Sequence, residues 1–245
     1  MGKGKLIKFK ENETFSCLIQ PTTEEVLGKD HPMKGKWRET MFRNSNPIVL
    51  ELGCGKGEYT VALAERFPEK NYIGIDIKGA RLWKGAKYAT RQGLGNVAFV
   101  RTRVEFIESL FAEAEIDEIW ITFADPQEKK ARKRLTHPRF LERYRRILAP
   151  DGIVHLKTDS RLLHNFTLET ARCNGMSVLE HNEDIYGSGR ADQLLSIQTF
   201  YEKNFLAQGV PITYLAFKLD GNKNLVEPEW DQKPFEQTYK TITRS

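Results

Sequence analysis

A chain of 245 residues, 40% hydrophobic and 29% charged, can close one sizeable core and excludes a disordered or fibrous class. A net charge of +5 favours a polyanionic partner, and the scattered cysteines Cys17, Cys54 and Cys173 exclude a disulfide framework or a Cys/His zinc site, so a reducing, cytoplasmic setting is expected. No apolar run approaches the ~20 residues of a membrane span and Met1 to Leu6 holds no signal core, so a soluble, unexported protein is expected.

Residues 1–35 carry Lys3, Lys5, Lys8 and Lys10 but no sustained period of 3.6 or 2, which predicts a flexible basic arm. A short helix at 37–42 leads into a first strand at 47–52, apolar apart from Glu51, as a buried parallel strand requires. Gly53, Gly55 and Gly57 follow, then a helix at 59–67 that Pro68 stops. The rhythm repeats with strand 71–76, helix 79–92, strand 97–101, helix 104–112, strand 118–123, helix 137–148, strand 152–157 and helix 160–174. Alternation at this pitch predicts an α/β fold, a Rossmann-like and mostly parallel sheet with helices on both faces. Further on, 176–181 and 212–219 read as strands flanking a helix near 198–208. The expected division is a globular domain at 36–220 and a polar, loosely attached tail at 221–245.

The segments Ile48-Val-Leu-Glu-Leu-Gly-Cys-Gly-Lys-Gly-Glu58 and Tyr72-Ile-Gly-Ile-Asp76 make one βαβ unit suited to a nucleoside. Glycines let the chain turn sharply out of the strand and bring backbone N–H groups against a ligand. Asp76 ends the second strand, where a carboxylate accepts from ribose hydroxyls. A dinucleotide motif wants its third glycine at position 58, where Glu58 stands, so a nicotinamide oxidoreductase is disfavoured. Gly-x-Gly-x-Gly behind Glu51, which can face a cationic amino-acid group, points instead to S-adenosylmethionine as cofactor. Cys54 reads as a small turn residue, since no base stands near it in sequence.

Asp125, in Ile119-Trp-Ile-Thr-Phe-Ala-Asp-Pro126, falls at the carboxyl end of the fourth strand, the edge on which open α/β sheets place their chemistry. From Glu128 to Arg146 nine lysines and arginines face two acids, and Lys129, Lys130, Arg132, Lys133 and Arg134 come first. A basic surface beside a methyl donor implies a nucleic acid held by its phosphates. Amine methylation of adenine in this fold favours Asn/Asp-Pro-Pro-aromatic, which Asp125-Pro-Gln-Glu is not. Guanine N7 has a free lone pair and no proton to lose, so a carboxylate there would grip the N1–H and N2 edge and offset the developing positive charge. The histidines show no metal-ligand spacing, and the Gly187-Ser-Gly-Arg190 segment reads as a lid or RNA contact.

Together with Leu156-Lys-Thr-Asp159 and Thr199-Phe-Tyr-Glu202, these motifs resemble the bacterial tRNA (guanine-N7-)-methyltransferase family across roughly residues 45–220. The resemblance implies a class I methyltransferase fold with tRNA as partner, no metal and no membrane, as a monomer or a homodimer. It implies that Glu51, Gly53, Gly55, Gly57 and Asp76, with Arg103 by its position, hold the cofactor and that Asp125 sits at the reaction centre. Lys129, Asp159, Thr199 and Glu202 would then contact the guanosine, and Lys130, Arg132, Lys133 and Arg134 the phosphates. From the residues alone, Asp159 also reads as a helix N-cap, and Thr199 with Glu202 as a capping box. Two departures stand out: Gln127-Glu128 replaces the family's Trp-Pro, and Arg103 occupies the place of an acid that holds adenine. Backbone near Thr102, or Asn96 or Glu105, would have to substitute. The rival readings are a methyltransferase of another RNA, a protein or a small molecule, and a non-catalytic RNA-binding relative.

Overall fold

Strands that are apolar on both faces need helices above and below, and the computed structural model, which describes residues 3–235, supplies them. Its eight-stranded sheet runs β1 (Leu18–Ile19), β4 (Val97–Arg101), β3 (Asn71–Asp76), β2 (Ile48–Leu52), β5 (Ile116–Thr122), β6 (Leu148–Thr158), β8 (Thr213–Lys218), β7 (Val178–Asn182). The first six run parallel, and β8 is antiparallel to both its neighbours. The layers are α1 (Lys3–Asn12), α2 (Thr23–Val26), α3 (Glu58–Arg66), α4 (Gly79–Gln92), α5 (Ile107–Leu110), α6 (Pro138–Ile147), α7 (Arg161–Cys173) and α8 (Phe200–Ala207). Among the described residues no helix is long and apolar enough to cross a membrane.

Period-two alternation splits the strands between two cores. Ile48, Leu50 and Leu52 of β2 join Ile119 and Ile121 of β5 in one core, while Val49 and Trp120 enter the other with Tyr59, Leu82, Phe99 and Tyr214. Glu51 shares the face of Val49, so a carboxyl points toward α3 within this layer. Chain order reverses at β2 and β5, and the crevice at their carboxyl ends is where such sheets bind ligands.

The segment expected to be a flexible arm is instead a helix and an edge strand. Asn12 Nδ2 donates to Gly79 O at 2.9 Å, Glu11 accepts from Trp83 Nε1 at 2.6 Å and from Lys87 Nζ at 2.7 Å, and Arg101 lies 5.0 Å over the Phe9 ring. Leu6 and Ile7 of α1 are exposed, so no apolar stripe announces the helix, and side-chain contacts to α4 hold it. The expected helix at 104–112 is a 3-10 turn, Val104–Phe106, followed by α5, and Trp37–Phe42 is one π-helical turn. The described part of the tail is bound down: Arg145 Nη1 donates to Asn222 O at 2.7 Å, and Asn174 Nδ2 to Val226 O at 2.9 Å. The remainder of the expected tail, 236–245, and residues 1–2 of the expected arm lie outside the described residues.

Candidate active site

Gly53, Gly55 and Gly57 take φ of 72°, 59° and 71°, the left-handed region that side chains resist. At Gly57 a Cβ would also stand 2.5 Å from the Phe99 ring, so the loop leaves β2 against the sheet with nothing between. Asp76, at the end of β3, is fixed by Gly55 N at 3.0 Å and Lys78 N at 2.7 Å. Glu51 is buried, accepting from Thr60 N at 2.9 Å, from the Thr60 hydroxyl, and from Thr122 Oγ1 at 2.5 Å. Burial pushes its carboxyl up to about 7, helped by the Asp76 charge and resisted by the hydroxyls. Cys54 is buried in the turn against Gly74, as a small packing residue.

A cavity of about 420 Å³ joins this loop to the far wall: Glu51, Gly53, Gly55 and Asp76 face Asp125, Lys133, Thr199 and Tyr201. An adjoining cavity of about 390 Å³ adds Ile77, Thr102, Arg103 and Glu105. Asn96 is excluded from it as an adenine partner, since its Nδ2 binds Ala64 O at 3.0 Å and Lys70 O at 3.2 Å ahead of β4. Arg103 is exposed at the rim of the second cavity.

Asp125 is exposed, and its Oδ1 accepts from Gln127 N at 3.0 Å in a tight local turn. Phe123 and Gln127 on either side have φ of 49° and 48°, strained for residues with a Cβ. Surrounding contacts sustain that strain: Phe123 N donates to Lys157 O at 2.9 Å, and Arg134 Nε donates to Pro126 O at 3.0 Å.

The basic run divides in two. Lys129, Lys130, Arg132 and Lys133 are exposed around the turn and the 3-10 helix Ala131–Lys133, and Lys133 lines both cavities. Arg134, expected on a phosphate, is fully buried: it lies 4.5 Å over the Phe166 ring, and Nη2 donates to Gln232 Oε1 at 3.2 Å. It therefore braces the Asp125 turn and is closed to RNA. Arg143 and Arg146 pair with Glu108, and Arg145 clasps the chain at 219–223.

Of the residues assigned to guanosine by resemblance, only Thr199 lines the first cavity. Asp159 is buried at the end of β6; the cap of α7 is Ser160, whose Oγ accepts from Leu163 N at 3.2 Å, so the N-cap reading moves one residue on. Thr199 caps α8 by accepting from Glu202 N at 3.3 Å, but the Glu202 carboxylate does not return the bond. It is fully buried, accepting from Lys157 Nζ and from the Tyr186 hydroxyl, each at 2.7 Å. Burial raises the Glu202 carboxyl and lowers the Lys157 ammonium. The capping box is thus half built, and the contact of Glu202 with substrate is replaced here by a buried ion pair. Lys157, though within the Leu156-Lys-Thr-Asp159 motif, and Tyr186 carry no role in the sequence reading, because the partners that define one lie elsewhere along the chain.

Glu58 bridges two helix starts: Oε2 accepts from Phe200 N at 2.9 Å and Oε1 pairs with Lys84 at 2.9 Å, with Lys56 Nζ 5.0 Å over the Phe200 ring. The 187–190 segment, expected as a lid, is tied to β7, Arg190 meeting Glu180 at 2.6 Å and Asn182 Nδ2 donating to Ser188 Oγ at 2.9 Å. No group of three metal-capable side chains occurs among the described residues.

Residues 45–215 match the protein family described as "Putative methyltransferase". The chain is 54% identical over 220 residues to the tRNA (guanine-N(7)-)-methyltransferase of Christiangramia forsetii, covering 89% of this chain and 98% of that one. To the protein of the same name from Bacteroides fragilis it is 48% identical over 229 residues, 94% of this chain and 91% of the other. Among solved structures, an antibiotic-related methyltransferase superposes with a TM-score of 0.56 at 18% identity, over 77% of this chain and 95% of that one. The 16S rRNA methyltransferase KamB superposes with a TM-score of 0.55 at 12% identity, over 78% and 92%. At such identities the structural neighbours share the fold alone.

Proposed function

The chain belongs to the tRNA (guanine-N7-)-methyltransferase family, and on that premise we propose how its residues carry out transfer of a methyl group from S-adenosylmethionine to N7 of a guanosine in tRNA. The observation that carries the reading is one cavity shared by the glycine loop, the strand-end Asp76, and Asp125 in its strained turn.

The residues fit the cofactor. A loop with three left-handed glycines leaves room that side chains would fill, and Asp76, each oxygen accepting one backbone N–H, keeps lone pairs for ribose hydroxyls. Glu51, half-protonated near neutrality, becomes fully ionised when an ammonium faces it. Arg103 can only donate, so the adenine amine is assigned to Glu105 or to backbone near Thr102 at the second cavity. When bound, S-adenosylmethionine supplies a methyl group on a sulfonium, a leaving group that needs no protonation.

Asp125 acts on the purine by charge: it accepts from the guanine edge and offsets the positive charge that grows as N7 is alkylated. It moves no proton, because N7 has none to lose. Thr199 and Tyr201 form the opposite wall and hold the base in line. Lys129, Lys130, Arg132 and Lys133 hold tRNA phosphates, a sequence-independent and salt-sensitive attraction.

The test is incubation with labelled S-adenosylmethionine and unmodified tRNA transcripts, with nucleoside analysis of the product. Label in 7-methylguanosine is the expected result; label in another nucleoside, or none despite cofactor binding, would overturn the guanine assignment.

A further inference from the structure

Lys157 is the one lysine with no side-chain exposure among the described ion pairs, at 0%. A buried ammonium is retained only where every donor is satisfied, and its three N–H groups find three acceptors: Leu195 O at 2.7 Å, Ile197 O at 2.9 Å and Glu202 Oε1 at 2.7 Å. The Tyr59 ring lies beside it, 5.4 Å from Nζ to the centroid. Two of these acceptors are backbone carbonyls of an irregular segment that has no ladder of its own there. The third is the carboxylate at the start of α8, which Tyr186 also holds. The ammonium therefore fixes the segment 195–202, which carries Thr199 and Tyr201 into the cavity.

The main chain of the same residue fixes the opposite wall. Lys157 O accepts from Phe123 N at 2.9 Å, at the left-handed residue two positions ahead of Asp125. Lys157 is also registered between Thr122 of β5 and Tyr214 of β8. One residue thus touches both walls of the cleft, through its backbone on the Asp125 side and through its side chain on the Thr199 side.

We propose that Lys157 is a positioning residue that sets the gap between the Asp125 wall and the Thr199–Tyr201 wall, and so the alignment of the guanosine between them. The inference rests on reading that cleft as the guanosine site. Lys157 touches no reacting atom; it acts through Thr199, Tyr201 and the carbonyl–amide bond to Phe123.

The test uses the full chain carrying Lys157→Met, which keeps length and volume and removes the ammonium. Four readouts are taken: the melting temperature, cofactor affinity by calorimetry, kcat and KM for tRNA, and amide hydrogen exchange across 190–205. The expected pattern is a fall of about 100-fold in kcat/KM for tRNA, the scale of a misplaced reacting group, with cofactor affinity within about twofold of wild type. Exchange quickens at 195–202 and stays unchanged in α3 and β2. Where Lys157→Met does not fold, Tyr186→Phe loosens the same carboxylate without burying a new charge, and a smaller shift of the same pattern is expected. Unchanged kcat/KM in a folded variant would overturn the proposal, as would parallel losses of cofactor affinity and of protection throughout the sheet, which mark a plain stability role. Wild type in the same assay separates the two readings: if it makes no 7-methylguanosine, the guanosine assignment fails, while the exchange data still decide what Lys157 holds in place.

Discussion

The two walls of the cleft are built by different means. The wall proposed for the cofactor is made mostly of neighbours in sequence: Glu51, the glycines and Asp76 lie within one βαβ unit, and the bonds Gly55 to Asp76 and Thr60 to Glu51 span at most 21 residues, with one longer tie, Thr122 to Glu51, of 71. The wall proposed for guanosine is assembled from afar: Lys157 reaches Leu195, 38 residues away, and Arg134 reaches Gln232, 98 residues away. The first is a local motif that this sheet architecture carries ready-made. The second exists only when the whole domain has closed, so damage to it can come from positions with no contact to substrate.

The sharpest way to break that contrast is Asp125→Ala. It should lower kcat by about 100- to 1000-fold, the usual loss when one electrostatic stabiliser of a transition state is removed, with cofactor affinity within twofold. Equal loss of cofactor affinity, read by calorimetry, would show that the walls are not separable.

Next in size is the pH dependence of cofactor binding. Glu51 titrates at about 7 in the unliganded protein, and an ammonium favours its ionised form, so binding below pH 7 releases a proton. Affinity should rise with pH by up to about tenfold per unit between pH 5 and 7 and then level off. Glu51→Gln should flatten the slope. The same raised carboxyl works against folding once ionised, so the unliganded protein loses stability as pH climbs from the ordinary value of 4.5 to about 7, the reverse of a salt-bridged acid. A melting temperature that rises over that interval for wild type relative to Glu51→Gln would contradict this.

Neutralising Lys130, Arg132 and Lys133 together should raise KM for tRNA by about tenfold and shallow its salt dependence, with no change in melting temperature. Arg134→Met should do the opposite, lowering stability by about 2 kcal/mol through loss of buried hydrogen bonds and leaving the salt slope alone. If both variants shift the salt slope alike, the division of the basic run is wrong.

The smallest effect distinguishes two adjacent residues at the end of β6. Ser160→Ala removes the α7 cap and should cost about 1 kcal/mol, some 2–4 °C in melting temperature for a domain of this size. Asp159, buried and lining neither cavity, is not the α7 cap, so Asp159→Asn should leave KM for tRNA unchanged; a rise would restore the guanosine contact that the resemblance implies.

Legibility followed the same division. Strands 71–76 and 97–101 and helix 79–92 were readable to the residue, because each is an apolar or amphipathic run with glycine or a polar turn at its end. The glycine loop with its two acids was readable because spacing alone specifies it. Helix α1 was not, since its exposed Leu6 and Ile7 break the period and its anchors, Trp83 and Gly79, sit on another helix. Arg134 looked like any member of a basic run; the ring and carbonyls that enclose it come from α7, the Asp125 turn and the chain near 232. Glu202 carried the spacing of a capping box, but its carboxylate is taken up by the buried Lys157 ammonium and the Tyr186 hydroxyl and not by the helix start.

Gln232 lies 17 positions past the last residue matched by the family, yet it shares a guanidinium with the turn that presents Asp125. The smallest piece of this chain that could be expected to turn over is accordingly longer than the span the family match delimits. Cut after residue 215, the protein would lose the second half of β8, where Ala216 and Phe217 pair with β6 and β7, and Arg134, Arg145 and Asn174 would each lose a partner. The contacts of Asn222, Val226 and Gln232 make the far end of the chain a place to look for natural variants that tune rate without touching the cleft.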